Sequence, residues 1–447
     1  VTGSAATRVV LIGCSVLLMG GGVALAWTGG AAGGLAGAFG LGSHVTDLTT
    51  RDAVYTNRDG VYPTPAMTWT SGNLDSTGPF GNANSLSALS CTATGSSSED
   101  CLTVDGRNLI GSSNPTGTTG SSWSVLPTSL LTDDATGYSL SGASCATIGS
   151  SPFCVSAGDR FENVSKPGAL LVSADPAGGQ SLDWTQDLTA DYLNGDPSCA
   201  SSASTALCAV PASNYDSATQ TYNSETLDVV NFSASNLSGG TIPSPTSVAL
   251  PFPDYTGPQA VQCPTTTVCV AVSYGSQDDS GNAVDSESAV GNPSTSSWAT
   301  DAVQDTGLTY LSTLSCPSAT LCLAQGSDDF GDPMLATANP SATTVTWTDY
   351  VLTSGALSDS LAQANVACAH DGSAAGEQTV CVIPDADDPG HLLVSTNPAA
   401  GASASWALQT IDGSASADDL TALSCPQANV CVASDQAGTV ASSSNVL

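Results

Sequence analysis

Carboxylates are the most numerous chemistry-bearing side chains in this sequence, and they gather in three stretches. Asp278, Asp279 and Asp285 form the first, with Glu287 just beyond them. Asp328, Asp329 and Asp332 form the second, and Asp385, Asp387 and Asp388 the third. Each stretch is rich in Gly, Asp and other turn formers, and hard oxygen ligands on such turns suit Ca²⁺. None has the spacing of an EF-hand loop. Asp and Gly are also what solvated turns need, so two readings stand: no cofactor, or calcium held by these nine residues. Asp133, Asp134, Asp418 and Asp419 add acids in other loops expected on the same face.

Bases are scarce. Lys plus Arg total 6 against 40 Asp plus Glu, for a formal net charge of −34. Nothing here can neutralise a run of phosphates, which excludes a nucleic-acid binder and adhesion to anionic lipid through basic patches. The field favours basic partners and repels polyanions. His44, His370 and His391 form no spaced metal motif, and no Gly-x-Ser-x-Gly elbow stands in a strand-turn-helix setting. Glycoside hydrolysis needs only a carboxylate pair, and forty acids offer many.

The cysteines reveal the elements that carry these loops. Apart from Cys14 they fall into seven close pairs: Cys91/Cys101, Cys145/Cys154, Cys199/Cys208, Cys263/Cys269, Cys316/Cys322, Cys368/Cys381 and Cys425/Cys431. The first members recur every 52 to 64 residues, a period that suggests propeller blades. Zinc ribbons use Cys-x2-Cys; gaps of 6 to 13 in an exported chain point to disulfides instead. Leu314-Ser315-Cys316-Pro317 and Leu423-Ser424-Cys425-Pro426 are the clearest copies of the motif. A second element follows, an Asn/Asp-Pro turn and then a Trp: Asn114-Pro115 with Trp123, Asp175-Pro176 with Trp184, Asn292-Pro293 with Trp298, Asn339-Pro340 with Trp347, Asn397-Pro398 with Trp406. The repeat after Cys208 has no such Trp, and residues 236–242 are expected to fill its place.

Each repeat therefore reads as four short antiparallel strands. Strand A ends at the first cysteine, B begins at the second, C precedes the Asn-Pro turn, and D carries the Trp. The tryptophans are expected to pack between blades. The last repeat carries no Trp strand, while an unassigned one, residues 65–70, precedes the first pair. The expectation is an all-β, seven-bladed β-propeller of four-stranded antiparallel blades over residues 51–447, its ring closed by an N-terminal strand.

Before it, Arg8 is followed by an apolar run ending Ala24-Leu25-Ala26. Residues 1–26 read as a signal peptide or a membrane anchor. Leu11-Ile12-Gly13-Cys14 resembles the bacterial lipobox, a third reading. Residues 27–50 are a Gly/Ala-rich linker.

The Ser-x-Asn/Asp-Pro…Trp element resembles a degenerate Asp-box, the turn of sialidase-like propellers, with Ser173-Ala174-Asp175-Pro176-Ala177-Gly178-Gly179 and Trp184 the nearest copy. The Cys-Pro-x4-Cys-x-Ala repeats look like secreted actinobacterial propellers. The resemblance implies a fold and carries no activity with it. Sialidases bind a substrate carboxylate with three arginines, whereas beyond Arg8 this chain offers only Arg51, Arg58, Arg107 and Arg160. The expected function is a secreted or cell-surface binding module, monomeric, for an extracellular glycan or protein. The alternative is a sialidase-like or other glycan-active enzyme using loop carboxylates.

Overall fold

A computed structural model describes residues 69–73 and, between 86 and 444, the strands and shorter turns. Everything before residue 69, including the leader and linker, and most longer loops fall outside the described residues. Seven antiparallel sheets make seven blades. Blade 1 comprises Ala88–Ala93 (A), Glu99–Val104 (B), Leu109–Ser112 (C) and Trp123–Leu126 (D); blade 2 comprises Tyr138–Ile148, Ser151–Arg160, Gly168–Ser173 and Trp184–Thr189. Blade 3 comprises Ser198–Ser201, Thr205–Asp216, Thr221–Ser233 and Thr246–Ala249, with an extra piece, Tyr192–Leu193, on B. Blade 4 comprises Pro258–Thr265, Val268–Ser273, Glu287–Asn292 and Ser297–Ala302; blade 5 comprises Leu308–Ser318, Leu321–Asp328, Pro333–Ala338 and Trp347–Val351. Blade 6 comprises Ala367–His370, Thr379–Pro384, His391–Ser395 and Ala407–Thr410; blade 7 has Leu420–Gln427, Val430–Asp435 and Thr439–Ser443. Strand Trp69–Asn73 pairs with blade 7's C strand, Trp69 opposite Ser443. The A strands of successive blades touch all the way round, from blade 1 to blade 7 and back to blade 1. They form the wall of the central channel. The D–A and B–C connections emerge on one face of the ring, the A–B and C–D turns on the other.

The B strands read as continuous apolar runs because neighbouring blades cover both their faces. Val380, Cys381, Val382 and Ile383 are all fully buried. Between blades 2 and 3, Phe153 meets Phe232 with ring centroids 5.6 Å apart. Trp123, Trp184, Trp347 and Trp406 are buried, as packing between blades requires. Trp347 Nε1 donates to Ser288 Oγ of blade 4 at 2.8 Å. The matching residue of blade 3 is Leu227, whose side chain accepts nothing, and Trp298 Nε1 of blade 4 is buried without a partner among the described residues. Blade 3 has no Trp. There a short helix, Ala234–Ser238, follows the N-cap Ser233, and Leu237 and Ile242 pack against the core between blades 2 and 3.

All seven cysteine pairs are disulfides joining A to B, with Cα atoms 4.0 to 4.1 Å apart. In four blades the cysteines are directly opposed in the ladder, as Cys91 is to Cys101 and Cys145 to Cys154. In blades 4, 5 and 7 the pairs Cys263–Cys269, Cys316–Cys322 and Cys425–Cys431 straddle an irregularity near the A–B turn. The strand limits expected from the sequence need correction. Strand A does not end at its cysteine but runs two or three residues past it, and B starts one to three residues before its own. Thus Cys154 lies inside Ser151–Arg160, Cys269 inside Val268–Ser273, Cys322 inside Leu321–Asp328 and Cys431 inside Val430–Asp435. The physical reason is the hairpin: the ladder continues beyond the bridge to the tight A–B turn. The bridges are also buried on the B side. Cys101, Cys154, Cys208, Cys269, Cys322, Cys381 and Cys431 have no solvent exposure, because the B strands run through the interior between blades. They are core crosslinks, not sites that a ligand could reach.

Seven disulfides are the mark of an oxidising compartment. Among the described residues no helix is long and apolar enough to cross a membrane.

The Ser of the Leu-Ser-Cys motif has its own task. Ser90 Oγ accepts the Cys145 N–H of the next blade at 2.9 Å, and Ser144 accepts from Cys199 at 3.0 Å. Ser198 accepts from Cys263 at 2.9 Å, Ser315 from Cys368 at 3.0 Å, and Ser424 from Cys91 at 2.9 Å. The two positions outside this series hold Gln262 and Ala367. Each hydroxyl satisfies a backbone donor that the innermost strand presents to no neighbouring strand. Ser144→Ala is expected to cost about 1–2 kcal/mol by orphaning the Cys199 N–H, read as a lower urea midpoint at unchanged slope. At the C–D turns a second serine does similar work. Ser112, Ser173 and Ser395 accept from the amides of Asn114, Asp175 and Asn397 at 3.1 to 3.2 Å, fixing the turn before its Pro.

Candidate functional site

The inner wall is broken at one place. In blade 3, Ser198–Ser201 pairs with Ala206–Ala209 of strand B, and Tyr192–Leu193 pairs with Ala212–Ser213. Between them strand B presents Pro211, which has no N–H to give the ladder. Opposite, Gly195, Asp196 and Pro197 leave the sheet. Gly195 lies against the proline ring: a Cβ there would sit 3.1 Å from Pro211 Cγ.

The break delivers Asp196 to the channel axis. Asn365, two residues before blade 6's A strand, donates from Nδ2 to Asp196 Oδ2 at 3.0 Å. Blades 3 and 6 are not neighbours in a ring of seven, so this bond runs across the channel mouth on the D–A/B–C face. Both residues stand three places before the first cysteine of their repeat. The other five repeats have Ala88, Gly142, Ala260, Thr313 and Ala422 there. Small residues prevail because the position is crowded: a Cβ on Gly142 would lie 2.7 Å from Asp196 Cα. Gly142→Ala is expected to push the Asp196 segment aside and cost about 1–3 kcal/mol of strain, seen as a lower thermal midpoint.

The electrostatics of the mouth are one-sided. Burial pushes the Asp196 carboxyl up to about 6, with the Asn365 hydrogen bond pulling the other way. Asp159, near the end of blade 2's B strand, accepts the Leu193 N–H on Oδ1 at 2.9 Å. Burial pushes it up to about 6 as well, against the lowering effect of that bond. On the same face Glu287 opens blade 4's C strand; burial raises its pKa, and its Oε2 has no partner among the described residues. Residues 167–447 contain no Lys or Arg at all. Any Lys or Arg that meets a carboxylate of blades 3 to 7 must therefore come from outside them; Arg160 ends blade 2's B strand on the same face, its side chain outside the described residues. Such a mouth can accept hydrogen bonds from hydroxyls, hold a cation, or share a proton near neutral pH.

The opposite face carries a different acidic pair. Glu99 and Asp100 begin blade 1's B strand; burial raises both, and Asp175 of blade 2 raises Asp100 further. Gln427 of blade 7 donates to Glu99 Oε1 at 3.4 Å, so this pair belongs to the seam between blades.

The acids singled out by sequence can be placed only in part. Asp278, Asp279, Asp285, Asp329, Asp332, Asp385, Asp387 and Asp388 fall outside the described residues, and of Asp328 only its place at the end of blade 5's B strand is described. Among the described residues no three His, Cys, Asp or Glu side chains are grouped as metal ligands would be. His370 ends blade 6's A strand with Nδ1 3.3 Å from Thr379 Oγ1, and His391 begins its C strand. The residues missed were Asp159, Asp196 and Asn365. A signal for two of them was present: a polar side chain at a repeat position otherwise given mostly to Ala or Gly.

The sequence matches no family model and no curated protein. Among solved structures it is similar to YCF48 bound to a D1 peptide, at 12% identity over 86% of this chain and 99% of that one, with a TM-score of 0.50. It is also similar to the six-bladed Aleuria aurantia lectin, a fucose-recognising fungal propeller, at 10% identity over 73% and 96% of the chains, TM-score 0.40. A third is Trypanosoma rangeli sialidase, at 12% identity over 68% and 55%, TM-score 0.42. Likeness at these identities concerns the fold alone.

Proposed function

We propose that the chain is a secreted or cell-surface β-propeller that works as a monomeric binding module, taking an extracellular glycan or protein at the channel mouth of the D–A/B–C face. The observation that carries this reading is the break in blade 3. Bulged, interrupted strands re-aim side chains beside functional sites. Here the interruption holds the Asp196 carboxyl at the mouth, met by the Asn365 amide from blade 6, where the repeat elsewhere favours small residues. A propeller gains no stability from a half-buried carboxylate met by one amide, so its place there is better explained by what it binds. Export through the N-terminal segment, by cleavage, anchoring or lipidation, belongs to the same proposal. So does descent from Asp-box propellers of the actinobacterial kind.

A second reading is a glycan-active enzyme. It is favoured by Asp159 and Asp196, two carboxyls on one face whose pKa values of about 6 suit proton transfer. One experiment separates the two. The oxidised protein is mixed with insoluble cell-wall and polysaccharide preparations, and the supernatant is assayed for protein and for released sugar. Retention without release is the expected result. Released sugar would replace the binding module with a hydrolase.

A further inference from the structure

Blade 3 also carries a long, unbroken B–C hairpin. Its B strand continues from Cys208 to Asp216 and stays paired with C to the end, Asp216 opposite Thr221. Among the described residues the other B strands end sooner after their cysteine, at Val104, Arg160, Ser273, Asp328, Pro384 and Asp435, though in blade 4 a separate two-residue ladder, Ser276–Gln277 with Ala283–Val284, lies equally far from its cysteine. At about 3.4 Å per residue, the two to five residues beyond those described ends amount to about 7–17 Å of unbroken ladder.

Strand D covers only part of the arm. It pairs with C from Val229 to Thr226 and ends at Ala249. Beyond it Leu250 and Phe252 are drawn into the core shared with blade 4, beside Val261, and Pro251 has no N–H to offer. Strand C runs on from Thr226 back to Thr221 with no described strand on its outer side. Unpaired strand edges are templates for another chain, and proteins guard them with Lys or Pro. The segment Thr221-Tyr222-Asn223-Ser224-Glu225 has neither. The arm also carries Asp216 and Glu225, in a stretch without a single Lys or Arg.

We infer that this arm is a strand-addition site for an extended, basic segment of a partner protein, which pairs along Thr221–Glu225. Backbone hydrogen bonds give such a contact its affinity, and charge complementarity selects the cationic strand over others. The inference rests on the binding-module reading and names the partner's chemistry for the arm.

The probe is a capped octapeptide of four Lys-Thr repeats, fluorescently labelled and titrated with the full oxidised protein at low salt. Three comparisons go with it: a Glu-Thr octapeptide, the Lys-Thr peptide N-methylated at alternate residues, and a variant protein. In the variant, residues 214–224 are replaced by Asn-Gly, so that Ser213 and Glu225 flank a two-residue hairpin turn. The Lys-Thr peptide is expected to bind, the Glu-Thr peptide not. N-methylation and arm shortening are each expected to weaken binding about tenfold or more. Equal binding of the N-methylated peptide means charge alone attracts it and overturns the inference, and this comparison needs only the unaltered protein. Unchanged binding by the folded, shortened variant overturns it too, as does no binding of the Lys-Thr peptide. If the protein is nonetheless retained by polysaccharide, the binding-module reading survives and only the arm's role falls.

Discussion

Full reduction of the protein is expected to unfold it at room temperature. Each blade closes a small loop with one disulfide, the paired cysteines lying 6 to 13 residues apart. In the chain-entropy model each such loop contributes about 2–3 kcal/mol, and seven together about 15–20 kcal/mol. That exceeds the roughly 5–15 kcal/mol of net stability typical of folded domains. Alternative sources of stability are limited by composition, since Gly, Ala, Ser and Thr leave fewer large side chains for the core. Circular dichroism in the near ultraviolet during thiol titration, under mild conditions that expose the bonds, is the measurement. A fully reduced chain that keeps its near-ultraviolet signal and its thermal midpoint would show that packing between blades suffices. Removing a single bridge, as in Cys368→Ala with Cys381→Ala, is expected to cost about 2–3 kcal/mol in the same model.

The second large effect has the opposite sign. Replacing Asp196 and Asn365 together by Ala is expected to stabilise the protein near neutral pH. The substitution gives both positions the residue found at Ala88, Ala260 and Ala422. It removes both partners of the cross-channel bond, so neither is left unsatisfied. The folded-state pKa of Asp196 is raised to about 6 from the ordinary 3.8. A raised carboxyl pKa means the folded state binds the proton more tightly than the unfolded state. Stability from this group therefore falls as pH rises from about 4 to about 6 and stays low above that. The gain in the double variant should be about 1–3 kcal/mol at neutral pH and should vanish near pH 4. Thermal midpoints across this range read it directly. A variant less stable than the parent at neutral pH would make the Asp196–Asn365 pair a structural brace. Stability surrendered at a site in this way is common where function requires it.

The repeat architecture was legible because its signals are local. A disulfide across a hairpin needs two cysteines close in sequence, and the Asn/Asp-Pro turn with its Trp marks the passage from C to D. Even the exception was visible: the stretch around Asn236 to Ile242 does occupy the place of the missing Trp, through Leu237 and Ile242. The strand ends were less legible, since nothing local shows that the ladder runs on past Cys145 and Cys154 to the turn at Gly149. The role of the Leu-Ser-Cys serine was not legible, since its partner is the next repeat's cysteine amide and only the ring brings them together. The same holds for the mouth. Asp196 and Asn365 are 169 residues apart and meet only because blade 3 breaks its inner strand at Pro211. Acid density drew attention to the B–C loops of blades 4, 5 and 6. Those loop acids fall outside the described residues apart from the position of Asp328, and Asp196 is reached by a different signal, the break in blade 3.

The most direct test compares the oxidised protein with its Asp196→Ala, Asn365→Ala variant for retention on insoluble cell-wall and polysaccharide preparations and on immobilised extracellular proteins. The expected result is a parent retained on one of these surfaces and a variant that is folded, more stable at neutral pH, and released from it. Retention of both to the same extent would contradict the assignment of the channel mouth as the binding site, and retention of neither would contradict the binding module itself.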